Sequence, residues 1–382
     1  MLKKRRIAIV GCGGMGGGHA IAIGSGSGNA VWGANSDKET DANIILDKAG
    51  DTDISQKLEL AGIFDIDLSR IEWAHTRGFK TYDSFDAVLG DPDVDIVLIS
   101  TPNHLHKKMA IAAMRAGKHV LCEKPVMMNS RDMEEVMQVS KETGMVFYPR
   151  QNRRWDKDYR IVQRIYRENL VGSCCRIESR VHGSRGIPGD WRGEAEFGGG
   201  MLLDWGVHLL DRILVMVPEK ITNVFAKLTH ITNDNVDDGF TIFLTFESGL
   251  TALVEVGTYN FIGLPLWYVV GDHGSAIIRN WKCEGEMVRL SSWEDKDAAP
   301  IMAGAGLTKT MAPRDDQTLQ RMELPEVNFD NNELYSNLVD TINGDAEQIV
   351  TQEQALRVLR LIDAVRESDR TGKTVAFESC ER

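Results

Sequence analysis

Ile7-Ala8-Ile9-Val10-Gly11-Cys12-Gly13-Gly14-Met15-Gly16 decides the fold. The first four residues are an unbroken apolar run, the pattern of a strand buried on both faces. A G-x-G-x-x-G spacing follows at once, and residues 15–23 open a helix, the context in which that spacing binds a dinucleotide. Gly11 permits the tight turn, Gly13 lets the backbone approach a pyrophosphate, and Gly16 lets the helix pack closely on the strand. Gly14 and Met15 complete the loop, with the phosphates placed at the helix N-terminus. A site of this kind also needs a carboxylate at the end of the second strand, about 20 residues on, to bind the adenosine ribose. Asp65, in Gly62-Ile63-Phe64-Asp65-Ile66-Asp67, is the candidate. It comes late because residues 24–57, glycine-rich at first and then acidic, read as an insertion between helix and strand. Asp65 would repel a 2′-phosphate despite Arg70 close by in sequence, so NAD is expected in preference to NADP.

Outward from this loop, strands at 58–65, 95–100, 119–122 and 145–148 alternate with helices at 104–116 and 130–143, stopped by Gly117 and Gly144. Alternation of that kind predicts a doubly wound parallel sheet over residues 1–149. Beyond Pro149 come helices at 155–169 and 200–217. Strands at 221–232, 239–247, 251–259, 267–272 and 274–280 then follow one another without helices, as in an antiparallel sheet. Residues 292–328 read as a long irregular loop, and helices at 331–343 and 351–368 close the chain. The fold class is therefore α/β, with a second domain over 150–382. A length of 382 residues suits two domains.

A net charge of −12 argues against nucleic-acid or anionic-membrane partners. No run reaches the roughly 18–20 apolar residues of a spanning helix. The basic residues 3–6 are followed by only four apolar ones, fewer than the about 7–15 of a signal h-region, so the expected location is cytoplasmic. The six cysteines form no CxxC pair, so neither bound metal nor a disulfide framework is expected.

Residues 201–217 are apolar nearly all round, yet Asp204, His208 and Asp211 recur at i, i+4 and i+7 on one face. Buried polar groups are costly unless satisfied, so this stripe marks a site. Asp211 equally suits a structural hydrogen-bond network. Gly198-Gly199-Gly200 just before it permits close approach of a ligand. Glu123-Lys124-Pro125 ends the 119–122 strand, where ligands sit in open α/β sheets, and Lys124 can donate to a substrate oxygen. Pro125 fixes the backbone after Lys124 and is a candidate cis peptide. Trp191 and Arg192 are candidates for the face and hydroxyls of a sugar.

Together these pieces resemble the Gfo/Idh/MocA oxidoreductases. The resemblance rests on Gly11–Gly16 with His19 and on Ser100-Thr101-Pro102-Asn103-His104-Leu105-His106. It continues with Glu123-Lys124-Pro125, Asn152-Arg153-Arg154-Trp155-Asp156, the stretch 198–211 and the chain's end at 368–373. It implies a Rossmann domain followed by an α/β domain with an open-faced, mostly antiparallel sheet, through which such chains form homodimers or homotetramers. It also implies an NAD-dependent dehydrogenase that oxidises a secondary ring hydroxyl of a sugar, glycoside or cyclitol. Lys124 would orient and polarise that hydroxyl, His208 would take its proton, and Asp204 would contact substrate or tune the histidine. Thr101, Pro102, Asn103, His106, Glu123, Lys124 and Asn152 are implied as cofactor contacts, Lys124 and Asn152 also as substrate contacts, and His19 as packing at the loop. A redox-neutral glycosidase working through a transient 3-keto sugar is the alternative.

Overall fold

The protein is described by a computed structural model covering residues 4–25, 52–294, 298–314 and 317–377. Most of the expected insertion, residues 26–51, lies outside these, as does Cys380.

The first part alternates strand and helix: β1 (Arg5–Val10), α1 (Gly14–Ser25), β2 (Leu58–Phe64), α2 (Leu68–Thr76), α3 (Phe85–Gly90), β3 (Ile96–Ile99), α4 (His106–Arg115), β4 (His119–Cys122), α5 (Ser130–Thr143) and β5 (Phe147–Pro149). All pairings are parallel, in the order β2-β1-β3-β4-β5. The strands run continuously apolar because both faces are covered. Ala8, Val10, Val97 and Ile99 pack toward α4 and α5, while Ile7, Ile9, Ile96 and Leu98 pack toward α1. Successive strands are added on one side of β1 as far as β2 and on its other side from β3 onward, and that switch point between β1 and β3 opens the crevice at their carboxyl ends. Val10, after the basic start, is a core residue of β1 with no exposure.

The second part comprises α6 (Lys157–Arg167), β6 (Cys174–His182), α7 (Val207–Met216), β7 (Ile221–Thr229), β8 (Gly239–Phe246), β9 (Thr251–Gly257), β10 (Trp267–Gly271), β11 (Gly274–Ile278), β12 (Gly285–Leu290), β13 (Ile301–Ala303), β14 (Gly306–Thr308), β15 (Leu319–Met322), α8 (Glu333–Asn343), α9 (Gln352–Thr371) and β16 (Val375–Ala376). Nine of these strands form one sheet, β15-β12-β11-β10-β6-β9-β8-β7-β16, antiparallel except where β6 meets β9. Helices α7 and α9 cover one face through Leu209, Ile213, Leu359 and Ile362, which join Val254 and Ile242 in the core.

Three expectations are corrected. Strand β6, central to the sheet, has no apolar run to announce it. Its buried Glu178 and Arg180 satisfy each other as an ion pair, so the strand is held by charge where its neighbours use Val and Ile. Residues 292–328 are not wholly irregular: they carry the β13–β14 hairpin and β15, which pairs with β12. Helix α8 lies within 150–382 in sequence, but Leu334, Leu338 and Val339 share a core cluster with Ile7 and Leu98 of the first sheet. Its amphipathic face fills the side of that sheet left beside α1. Among the described residues, no helix is long and apolar enough to cross a membrane.

Candidate active site

A cavity of about 750 Å³ runs along the crevice from Asp65 and Arg70, past the glycine loop, to Lys124, Trp191, Arg192 and Asp204. Gly11 takes a φ of +91°, and a Cβ there would stand 2.7 Å from the Ser100 carbonyl oxygen, so only glycine closes this turn. Gly13 and Gly14 line the cavity with open space beside them, a backbone cradle of the right kind for phosphates. Met15 lines it too. Gly16 does not: a Cβ there would meet the Gly11 carbonyl oxygen at 1.9 Å, so its role is packing α1 against the loop.

Asp65 follows β2 directly and its carboxylate accepts the Cys12 N–H, tying that end of the crevice to the glycine loop. Asp67 instead caps α2 by accepting the Ser69 N–H at 2.9 Å. Thr101, Pro102 and Asn103 line the crevice, and Asn103 Nδ2 donates to the Gly198 carbonyl at 2.7 Å. His106 is fully buried between the carbonyl oxygens of Pro125 and Thr101, both at 2.9 Å, and reaches no ligand space. It braces the two loops that flank the crevice. Asn152 opens the turn Asn152–Trp155, is half-buried and does not line this cavity.

Glu123, at the end of β4, accepts from Arg150 Nη1 at 2.9 Å and pairs with His19 Nε2 at 2.7 Å. Burial opposes its charge, yet the Arg150 guanidinium holds the carboxyl down at about 2. Burial pushes His19 down to about 4. This network, completed by Tyr335 of α8 on His19 Nδ1, fixes the backbone from which Lys124 projects. The Lys124–Pro125 peptide is cis.

Lys124 Nζ donates to Asp204 Oδ1 at 2.6 Å and to the Asp204 carbonyl at 3.1 Å. Asp204 belongs to a π-helical turn, Leu202–Gly206, which interrupts the expected helix before α7. Burial raises the Asp204 carboxyl, but the Lys124 ammonium outweighs it and leaves the group below its ordinary value. One turn on, His208 is 4% exposed, and its Nδ1 has no partner among the described residues. Burial, reinforced by the charges of Lys124, Arg153, Arg212 and Arg150, drives its pKa well below the ordinary 6.5. Both causes favour the uncharged imidazole. Arg192 stacks 4.7 Å from the centroid of the Trp191 ring, with its Nε 3.9 Å from Asp204 Oδ2.

The glycine triplet departs from expectation. A Cβ on Gly199 would meet the Arg192 carbonyl oxygen at 2.2 Å, and one on Gly200 would meet Asp237 Oδ1 at 2.3 Å. These glycines admit protein rather than ligand. Asp237 was not legible beforehand. Its carboxylate accepts the Leu202 N–H at 2.7 Å, capping the π-turn that presents Asp204, and burial raises its pKa to about 7.

Comparison with known proteins agrees with this geometry. Residues 5–150 match the model of the oxidoreductase family with an NAD-binding Rossmann fold, and residues 159–277 match the GFO/IDH/MocA C-terminal domain. The chain belongs to the Gfo/Idh/MocA oxidoreductase family. It is 25% identical over 300 residues to scyllo-inositol 2-dehydrogenase (NADP(+)) IolW of Bacillus subtilis, a match that spans 77% of this chain and 82% of that one. It is 33% identical over 207 residues to 1,5-anhydro-D-fructose reductase of Ensifer adhaerens, across 53% and 62% of the two chains. The crystal structure of an NAD-binding protein from Listeria innocua superposes with a TM-score of 0.87 at 43% identity, covering 98% of this chain and 100% of that one. The protein is thus an NAD-binding oxidoreductase of this family, related to inositol dehydrogenase and to enzymes of sugar-like substrates.

Proposed function

We propose that this family member oxidises a secondary ring hydroxyl of a sugar, glycoside or cyclitol, with Lys124, Asp204 and His208 as its catalytic residues. The observation that carries the reading is the 2.6 Å contact of Lys124 Nζ with Asp204 at the inner end of the dinucleotide crevice, with a neutral, buried His208 one turn away. The bound nicotinamide supplies the acceptor for the hydride that leaves the carbinol carbon. Lys124 Nζ, already fixed by Asp204, donates to the substrate oxygen and stabilises negative charge developing there. The uncharged His208 ring accepts the hydroxyl proton, a role suited to a base that is not already protonated at neutral pH. Trp191 offers an apolar face to the ring, and Arg192 donors to its other hydroxyls. The activities carried in the names of the two relatives, on scyllo-inositol and 1,5-anhydro-D-fructose, support a polyhydroxylated ring as substrate.

The reading includes a cytoplasmic location, a place in carbohydrate metabolism, NAD rather than NADP, and a homodimer or homotetramer through the open face of the large sheet. Phe225 and Phe243, paired on neighbouring strands and 46% and 41% exposed, support that face as a contact between copies. The deciding experiment incubates the protein and NAD⁺ with a panel of cyclitols, hexoses and glycosides and measures NADH and released sugar together. Net NADH is the expected result. Released sugar without net NADH establishes the redox-neutral glycosidase instead, and neither product sinks both.

A further inference from the structure

A second cavity, of about 370 Å³, abuts the catalytic segment on Met201 and Trp205 and is walled by Arg153, His182 and Trp281. Nothing in the proposed chemistry uses it. Its rings stand in a line that begins at the base: His208 lies edge-on to Trp205 at 6.2 Å, and Trp205 lies 6.0 Å from Trp281. The Arg153 guanidinium stacks 4.3 Å from the centroid of Trp205 and 5.7 Å from that of Trp281, fixing both indoles. Trp281 rides on the tip of the β11–β12 hairpin, which is closed by the Arg279 N–H donating to the Glu284 carbonyl at 2.7 Å. The ring is therefore held in place, yet it is 53% exposed.

The wall also sets the charge of its occupant. Arg153 is paired with Asp156 at 2.9 Å, and His182 Nε2 is taken up by Glu255 at 3.0 Å, so the wall offers no unpaired guanidinium to an anion. Indole faces beside paired charges favour a flat, neutral ring.

We propose that this cavity is a second substrate subsite, which takes a neutral ring joined by a glycosidic bond to the sugar that is oxidised, stacked on Trp281. The occupant is an aryl aglycone or a second sugar ring, which present the same flat apolar face. The proposal rests on the reading that the first ring is oxidised beside His208, and it narrows the substrate to a glycoside. Trp281 is a specificity-determining residue and touches no reacting atom.

The test titrates phenyl β-D-glucopyranoside, phenyl β-D-galactopyranoside, cellobiose, lactose, D-glucose and D-galactose into the protein–NAD⁺ complex by calorimetry, with NADH formation followed in parallel. Glycosides are expected to bind roughly tenfold or more tighter than the free hexoses, the scale of one aromatic stacking contact. Trp281→Ala removes that advantage and leaves hexose affinity unchanged, while Trp281→Phe keeps most of it. A preference for the phenyl glycosides identifies an aryl aglycone, and a preference for the disaccharides a second sugar. Equal affinities for glycoside and hexose, no binding by any of the six, or equal weakening of both classes in Trp281→Ala overturns the subsite. The two readings fail separately: tighter glycoside binding with neither NADH nor released sugar keeps the subsite and sinks the oxidation, whereas hexose oxidation with no gain from a second ring does the reverse.

Discussion

Asp211 and the Asp204–His208 pair lie one to two turns apart on a single buried segment, and the fold treats them in opposite ways. Asp211 is 1% exposed and held by both arms of Arg154, at 2.7 and 2.6 Å. Arg154 spends its remaining nitrogen on Gln354 and the Ile349 carbonyl, joining α7 to the start of α9. Every polar atom of that group is occupied from within the protein. Asp204 instead faces a crevice, shared with a lysine, and His208 keeps an unpartnered ring nitrogen. A polar stripe on a buried segment thus holds two kinds of residue, and the completeness of their partnering separates them. Asp211 is satisfied wholly by structural partners, whereas Asp204 is held by the lysine of the crevice and His208 keeps an unpartnered nitrogen, the arrangement that the proposed chemistry uses.

The largest effect that tests this contrast is catalytic. His208→Asn lowers kcat/KM about 10²–10⁴-fold, the range of a positioned acid–base group, while stability moves by less than about 1 kcal/mol. Steady-state rates beside urea denaturation check it, and a large loss of stability would erase the distinction. Next in size, Asp211→Ala strands a buried guanidinium and costs about 3–5 kcal/mol of stability, read from the denaturation midpoint. A variant as stable as the parent would show that Arg154 does not depend on Asp211.

A smaller effect belongs to the far end of the crevice. Asp65→Ala weakens NAD⁺ binding by roughly ten- to a hundredfold, the worth of a charge-assisted hydrogen bond, with kcat nearly unchanged. Calorimetric titration with NAD⁺ decides it. The smallest effect is that of pH. The folded pKa of His208 lies below the unfolded value near 6.5, so as pH falls past 6.5 the unfolded chain takes up a proton that the folded one refuses. Stability then declines with acidification by at most about 1.4 kcal/mol per pH unit until the folded pKa is passed. His19, at about 4, adds a decline of the same sign. Thermal melts between pH 7 and 5 should therefore show a shallower slope in His208→Asn than in the parent or in Asp211→Ala.

The parts of the molecule legible from sequence are those whose physics is local. The glycine loop follows its strand without a gap, the i, i+4, i+7 stripe repeats on one helical face, and Glu123-Lys124-Pro125 ends an apolar strand. What escaped depends on distant partners. Strand β6 is built on the Glu178–Arg180 pair, so hydrophobic periodicity passes over it. Gly199 and Gly200 are glycines because Arg192 and Asp237 crowd them, and only the fold brings Asp237 there. Asn152 and His106 carried motif signatures, yet neither lines the crevice, and His106 is taken up by two backbone carbonyls. Trp205, Arg153 and Trp281 come from three separate stretches, and no spacing rule joins them.

The central claim is that Lys124, Asp204 and His208 form one oxidising centre at the end of the dinucleotide crevice. It is tested most directly by NADH formation from a cyclic polyol or sugar in the wild type and in Lys124→Ala, with NAD⁺ affinity measured on the same samples. The account predicts NADH from the wild type and a loss of about a hundredfold or more in the variant, with NAD⁺ affinity falling far less than the rate. Equal rates in the two proteins would contradict it.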